Sequence, residues 1–313
     1  MTDLRETGEV ADAVAGNWVD RLAPPAMRPW LRLSRADRPA GTWLLLIPCL
    51  WAVTLAAAQS GWRPFDLWLI AGCGIGAFLM RGAGCTWNDI TDRDFDGAVA
   101  RTRSRPIPSG QVTVRGALVW LVAQALVAFG ILLTFPAAAI WLGVLSLLPV
   151  AVYPFAKRFT WWPQVFLGVA FNWGALLAWA AHAGNLPMAA LPLYAGGIAW
   201  TLFYDTIYAY QDIEDDALIG VRSTARRFGD RPGPWLAGFA AGAACLMALS
   251  VGLATGGAGR WVALVGVAGF VAHLAWQFRR LDHRDPATCL ELFRSNRDAG
   301  LIPLPFFAAA AFV

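Results

Sequence analysis

Long uninterrupted runs of apolar residues dominate the chain. A helix needs about 18 such residues to cross the hydrocarbon core of a bilayer, and eight runs reach that length. Their Ala, Leu and Gly content favours α-helices, which satisfy every backbone hydrogen bond within one segment. With a shorter ninth run, the predicted spans are 41–58, 67–84, 116–135, 137–155, 164–181, 191–210, 235–255, 261–278 and 300–313.

The basic residues test this segmentation. If the N-terminus is cytoplasmic, every Lys and Arg except Arg63 and Arg260 falls on the cytoplasmic side, as the positive-inside rule requires. We therefore expect an integral protein of a bacterial inner membrane, with residues 1–40 as a cytoplasmic tail and interfacial helix and 41–313 as the transmembrane domain. The Trp, Leu and Arg of 25–39 favour an interfacial helix, although three prolines also suit an irregular linker.

Composition supports a membrane protein. The chain is 58% hydrophobic and only 15% charged, whereas soluble proteins carry about 25% charged residues. The net charge of +4 describes the cytoplasmic loops, so it indicates a lipid bilayer as the partner and not a nucleic acid. The five Cys form no C-x-x-C pair, and neither a disulfide framework nor a zinc site is predicted.

The three histidines, His182, His273 and His283, lie on different segments. None has an evident Ser or Cys partner in the sequence, so a hydrolase triad is not supported there, although distance along the chain does not exclude one.

Two acidic clusters interrupt the apolar pattern, and each follows a predicted span. Asp92 and Asp96 in the first cluster, and Asp212 and Asp216 in the second, are four residues apart. On a helix that spacing places both carboxylates on one face, where they repel each other. A bound cation is the natural compensation. The full clusters are Asp89, Asp92, Asp94 and Asp96, and then Asp205, Asp212, Glu214, Asp215 and Asp216.

The two pairs are 120 residues and four spans apart, and an Arg-Ser step follows each. This repeat predicts a duplicated four-helix unit plus one helix, with both pairs on one membrane side and facing a shared cavity. Oxygen ligands without nearby His or Cys favour Mg²⁺, and two such ions would clamp a diphosphate. Arg side chains suit the remaining phosphate oxygens, and the candidates are Arg101, Arg103, Arg105 and Arg222.

A cation-binding membrane transporter is the alternative of another class, since transporters often contain repeats. Transporter charges usually lie near the bilayer midplane, whereas these clusters follow the cytoplasmic ends of predicted spans. An enzyme is therefore favoured.

Several motifs together resemble the UbiA superfamily of membrane prenyltransferases, and within it most closely the branch that prenylates 4-hydroxybenzoate. The resemblance covers nearly the whole chain from about residue 29. A lone D-x-x-x-D would be weak, but the combined motifs are specific. They are "DRPAGTWLLLIPCLWA", "NDITDRDFDG", "RTRSRPIPSG", "YPFAKRFTWWPQ" and "YDTIYAYQDIEDDALIGVRSTARRFG".

The resemblance implies nine helices in a ring around a central cavity. It also implies Mg²⁺-dependent transfer of a polyprenyl group from polyprenyl diphosphate to the ring carbon ortho to the hydroxyl of 4-hydroxybenzoate, a step of ubiquinone biosynthesis. Another aromatic acceptor remains an alternative within the family.

By matched position, the resemblance makes Asp92, Asp96, Asp212 and Asp216 metal-binding carboxylates with Asn88 beside them. It makes Arg158, next to Lys157, the residue that holds the acceptor's carboxylate. Asp94 departs from the pattern, because relatives often have a basic residue there, and its added negative charge puts the local phosphate contacts in doubt.

Overall fold

The computed structural model of the chain describes residues 13–14, 16–98, 102–218 and 220–313. Within those residues the regular structure consists of α-helices and short 3-10 turns, with no strand. The all-α prediction is confirmed.

The helices follow the apolar runs closely. In chain order they are α1 (Trp18–Leu22), α2 (Arg28–Leu33), α3 (Ala40–Ser60), α4 (Pro64–Ala98), α5 (Val114–Leu132), α6 (Ala137–Leu145), α7 (Leu147–Phe159), α8 (Pro163–Ala183), α9 (Ala190–Ala209), α10 (Ile213–Leu218), α11 (Thr224–Phe228), α12 (Gly233–Ala254), α13 (Gly257–Arg280), α14 (Pro286–Leu301) and α15 (Pro303–Ala309), with 3-10 turns at Pro25–Met27, Tyr210–Asp212 and Ala310–Phe312.

Seven candidate membrane spans are found by length and apolarity in the described part of the chain, so the polytopic architecture is confirmed. The sixth predicted span corresponds to α9, which is 20 residues long but more polar because it carries Asp205 and several Tyr and Thr. The ninth run is divided where Pro303 opens a new short helix. The count of nine therefore stays a prediction. The seven candidates are α3, α4 through Gly97, α5, α6 joined with α7, α8, α12 and α13.

Helix α4 is much longer than the span predicted within it. It runs unbroken for 35 residues, which at 1.5 Å per residue is about 52 Å and exceeds the roughly 30 Å hydrocarbon core. Its last turns include the first acidic cluster. Asp92 and Asp96 therefore lie one helical turn apart, as their spacing predicted.

The chain divides into two compact units, each described here by itself. The first combines the residues up to Trp43 with Ile75–Ile131, and the second combines Leu44–Gly74 with Leu132–Val313. The domain boundary predicted at residue 40 is not tested by this division and stays a prediction.

The core of the first unit packs α2 against α4, α5 and the loop between them. Trp30 and Trp120 lie with ring centroids 5.7 Å apart beside Leu33 and Ile90. Residues 32–37 are all buried in the protein. Within the segment expected to form an interfacial helix, the α-helix covers Arg28–Leu33 after a 3-10 turn, and the end of the segment folds into the unit.

The second unit has an aromatic core with buried polar partners. The Trp51 and Trp200 ring centroids are 5.0 Å apart, and Phe270 packs against both. Trp51 Nε1 donates to the Gly300 carbonyl at 2.7 Å, and Trp200 Nε1 donates to Asn296 Oδ1 at 2.9 Å. Satisfying these buried donors avoids their desolvation cost and fixes α3 and α9 against α14.

Candidate functional site

The first acidic cluster lies on one face of the C-terminal end of α4. Asp89 and Asp92 have 0% exposure and Asp96 has 7%, and positions three and four apart share a helix face. Asn88 is half-buried at the same end of the helix. Asp94 differs, because its side chain is 86% exposed and pairs with Arg93 at 3.6 Å.

A chain of buried charges holds this cluster. Arg35 Nη2 donates to Asp89 Oδ1 at 2.6 Å. Arg105 Nη1 lies 3.5 Å from the same oxygen and donates to both oxygens of Asp96 at 2.9 and 2.8 Å. Alternating cations and carboxylates therefore offset the desolvation that burial imposes on each charge.

Arg35 reaches Asp89 from a strained backbone. Its φ of 59° is in the left-handed region, which costs an ordinary L-residue about 1 kcal/mol. Burial acts to lower the pKa of Arg35, but the carboxylates, Asp89 foremost, outweigh it and raise that pKa above its usual value. Burial raises the pKa of Asp37 to about 6, although Arg35 acts to lower it.

Two buried polar atoms of this network, Asp89 Oδ2 and Arg105 Nε, have no hydrogen-bond partner among the described residues. An unpaired buried donor is costly, and Arg105 Nε is a donor suited to an incoming phosphate oxygen. The guanidinium already contacts Asp96 through Nη1, so Nε is the donor of Arg105 that remains for a phosphate oxygen.

The donor set fits a magnesium ion in part. No three His, Cys, Asp or Glu side chains form a metal-binding group among the described residues. Asp92, Asp96 and Asn88 nevertheless provide only oxygen and amide ligands, and Mg²⁺ typically takes one or two carboxylates together with water and substrate phosphate.

The other predicted phosphate ligands of the first unit differ in placement. Arg101 lies outside the described residues. Arg103 is exposed, and its Nε donates to the Gly97 carbonyl at 3.3 Å. Thr102 Oγ1 donates to the Asp96 carbonyl at 2.9 Å, which ties the loop after α4 back to the end of that helix.

The second acidic pair has a different backbone from the first. Asp212 ends the 3-10 turn Tyr210–Asp212, whereas Asp216 is in α10. The pair therefore spans the junction between the 3-10 turn and α10, whereas Asp92 and Asp96 lie on one uninterrupted α-helix. Both residues are half-buried, as is Asp205 near the end of α9.

The structure joins two predicted basic segments of the second unit. The backbone N–H of Arg222 donates to the Lys157 carbonyl at 3.1 Å, and its Nη1 donates to the Phe159 carbonyl at 2.7 Å. The Arg158 guanidinium is 5.1 Å from the Phe155 ring centroid. Arg222 thus satisfies carbonyls at the C-terminal end of α7, a role besides the predicted phosphate contact.

Arg226 extends this basic group. Its guanidinium, like that of Arg222, lies over the Trp161 ring, at 5.4 Å and 5.7 Å respectively. Its Nη1 also donates to the Asp216 carbonyl at 3.3 Å. The sequence did not single out Arg226 or Arg35. For Arg35 the available signal was its positive charge within 25–39, the segment that we expected to form an interfacial helix.

Comparison with known proteins identifies the family model that fits this chain. The model described as the UbiA prenyltransferase family matches residues 45–301, which is most of the chain and includes both acidic clusters.

Curated relatives match over a similar extent. The chain is 49% identical over 282 residues to the mitochondrial 4-hydroxybenzoate polyprenyltransferase of Homo sapiens, covering 90% of this chain and 74% of the relative. It is 44% identical over 301 residues to the protein of the same name from Arabidopsis thaliana, covering 96% and 73%.

Solved structures share the fold. A UbiA homolog from Aeropyrum pernix K1 in its apo form superposes with a TM-score of 0.69 at 23% identity, covering 85% of this chain and 97% of that one. A UbiA homolog from Archaeoglobus fulgidus bound to GPP and Mg²⁺ gives a TM-score of 0.68 at 18% identity, covering 91% and 100%.

We predict that Arg35→Met destabilises the protein by about 3–5 kcal/mol, because it leaves the Asp89 charge buried without its main partner. The double variant Arg35→Met/Asp89→Leu should recover much of this loss. Denaturation of the purified protein in detergent micelles measures both.

The control is Arg93→Met, which removes an exposed cation from the same helix end and should change stability by no more than about 0.5 kcal/mol. Equal losses in the Arg35 and Arg93 variants would contradict a structural role for the buried pair.

Proposed function

The chain belongs to the UbiA prenyltransferase family, and from that premise we propose that it transfers a polyprenyl group from polyprenyl diphosphate to 4-hydroxybenzoate. The new bond forms at the ring carbon ortho to the hydroxyl, a step of ubiquinone biosynthesis. The relatives named for this acceptor support the choice, at 49% and 44% identity over most of the chain.

The observation that carries the proposal is the buried pair Asp92 and Asp96 with Arg105 beside it. Carboxylates for a divalent cation and a guanidinium for phosphate are the parts that a diphosphate leaving group requires. We propose Asp212 and Asp216 as a second pair of metal-binding carboxylates, with Arg222, Arg103 and Arg101 as further phosphate ligands and Asn88 as an auxiliary metal ligand.

Arg105 has the central part in diphosphate binding. Its Nη1 donates to both oxygens of Asp96, while its Nε has no partner in the part of the chain that the structure describes. An arriving diphosphate can take the Nε donor and draw the guanidinium from Asp96, which makes the Asp96 oxygens available to the cation. Binding of substrate and of metal are thereby coupled through one side chain.

Mg²⁺ held by the Asp pairs would stabilise the negative charge that develops on the diphosphate as the allylic C–O bond breaks. Arg105 and Arg222 add fixed positive charge at the same leaving group. The allylic cation is then attacked by the electron-rich ring carbon, and loss of the ring proton restores aromaticity.

Arg158 and Lys157 are the proposed acceptor ligands. Both are in the last turn of α7, whose end is tied to Arg222. A guanidinium there can hold the carboxylate of 4-hydroxybenzoate with two parallel hydrogen bonds, which orients the phenol ring toward the allylic carbon.

We place the acidic clusters and the N-terminus on the cytoplasmic face of a bacterial inner membrane. The distribution of Lys and Arg supports this orientation. Helix α5 exposes apolar side chains such as Val119 and Leu126, at 71% and 63%, as expected of a surface in contact with lipid and a polyprenyl tail.

Membranes containing the protein should prenylate 4-hydroxybenzoate when supplied with labelled polyprenyl diphosphate, and EDTA should abolish the product because the leaving group then lacks its counter-charge. Added Mg²⁺ should restore turnover. Absence of a metal-dependent product with every aromatic acceptor tested would refute the enzyme and favour cation transport.

Asp92→Asn and Asp212→Asn should each lower kcat at least about 1,000-fold, since each removes a carboxylate from a separate half of the metal site. Asp94→Asn is the matched control, because it makes the same change on an exposed side chain in the same motif. It should retain activity within about two-fold. Similar losses at Asp92 and Asp94 would show that total charge matters more than the site.

Arg158→Ala should raise KM for 4-hydroxybenzoate at least about 10-fold while leaving KM for the diphosphate within two-fold, since a charged hydrogen bond contributes about 1.5–3 kcal/mol. Arg279→Ala, at an exposed position near the end of α13, is the control for loss of a cation. An unchanged acceptor KM in the Arg158 variant would argue against a carboxylated acceptor held there.

A further inference from the structure

A second polar cluster lies in the second unit, where α3 ends, α4 begins and α8 ends. Its members are Ser60, the last residue of α3, Asp66 in the first turn of α4, and His182 in the last turn of α8. The proposed prenyl transfer uses none of them. The sequence had offered no serine partner for His182, and the structure supplies one from 122 residues away.

The three side chains form a connected line of hydrogen bonds. His182 Nδ1 is 2.7 Å from Asp66 Oδ1, and His182 Nε2 is 2.8 Å from Ser60 Oγ. The imidazole and the carboxylate have no solvent exposure, whereas Ser60 is exposed. A buried acid and base therefore connect to the hydroxyl of an exposed residue.

The partners of Asp66 determine which imidazole nitrogen carries the proton. Asp66 Oδ2 accepts the backbone N–H of Arg63 at 2.7 Å, so an ionised carboxylate acts as an acceptor through both oxygens. Its other partner, His182 Nδ1, must then be the donor. In the neutral ring Nε2 is left with a lone pair, which faces the Ser60 hydroxyl.

We propose that Ser60, His182 and Asp66 form a nucleophilic serine site that cleaves carboxylic esters at the membrane surface. In this arrangement the base removes the hydroxyl proton while the buried acid fixes the tautomer and stabilises the imidazolium. This activity is independent of prenyl transfer.

The reaction is balanced with water as the only co-reactant. Ser60 Oγ forms a bond to the ester carbonyl carbon, and His182 Nε2 takes its proton. The ester C–O bond then breaks, and the leaving alcohol receives that proton. Water attacks the acyl-serine, its proton passes through His182 back to Ser60 Oγ, and the carboxylic acid is released.

The surroundings indicate an amphiphilic ester. Leu67 and Met188, each within six residues of a triad member in the sequence, are 75% and 72% exposed. Such side chains favour an acyl chain. The Arg63 guanidinium donates to the His182 carbonyl, so a positive charge lies beside the cluster and would favour the negative charge that develops during acyl transfer.

A purely structural role is the competing explanation. The Asp66 contact with the Arg63 N–H resembles a helix cap, and Ser60 Oγ is also 3.1 Å from the Ala56 carbonyl, one turn back in α3. A structural latch would hold three helix ends together but would not make Ser60 reactive. Reactivity therefore separates the two explanations.

The test treats the purified full-length protein in nanodiscs with a fluorophosphonate probe and maps the adduct by peptide mass spectrometry. We expect labelling of Ser60 at a rate at least 100-fold above that of Ser146, whose Oγ donates to the backbone carbonyl of Gly143 and not to a histidine among the described residues. His182→Gln and Asp66→Asn should each reduce the labelling rate at least 100-fold. Hydrolysis of p-nitrophenyl butyrate should be lost in Ser60→Ala, which should keep its prenyl-transfer activity.

A further variant covers the case in which the His182 or Asp66 substitutions prevent folding. Ser60→Cys should react with iodoacetamide at pH 6 at least 10-fold faster than Ser146→Cys, because a paired imidazole generates thiolate below the usual thiol pKa. No adduct at Ser60, labelling that persists in folded His182→Gln, or equal cysteine reactivity would each overturn the proposal.

Discussion

A charge buried in an apolar chain must have a partner, and the first unit is arranged around that constraint. Asp89 has no solvent exposure, and its Oδ1 accepts a hydrogen bond from Arg35 and lies close to Arg105. Forming these contacts requires the left-handed turn at Arg35 and the return of the loop containing Arg105 to α4. The same contacts bring Arg105 onto Asp96. Ion pairs, more than apolar packing, therefore hold the candidate metal site in place.

The sequence predicted the parts of the fold for which membrane physics leaves few options. Apolar runs had to become helices, and α3, α5, α8, α12 and α13 begin and end within a few residues of the expected positions. The predicted helix boundaries are less accurate where polar residues determine the backbone conformation. The second predicted span ended at residue 84, yet α4 continues through the charged residues 88–98, where the buried carboxylates Asp89 and Asp96 are paired with Arg side chains.

In the candidate site, too, local geometry was predictable from the sequence and long-range contacts were not. The spacing of Asp92 and Asp96 identified one helix face correctly, because that inference needs only local geometry. The spacing of Asp212 and Asp216 did not indicate that a 3-10 turn precedes α10 between them. The sequence pattern could not predict contacts between residues that are distant along the chain. Those of Arg35 with Asp89, Arg222 with the end of α7, and Ser60 with His182 each depend on how the helices pack.

The backbone of Arg35 limits how this position can evolve. Glycine would relieve the left-handed conformation but remove the guanidinium, whereas lysine would keep a charge but not the planar donor group. Substitution at Arg35 is therefore accessible mainly when Asp89 changes in the same lineage. In a divergent set of related sequences, we therefore expect these two positions to change together, and we do not expect either one to be strictly invariant.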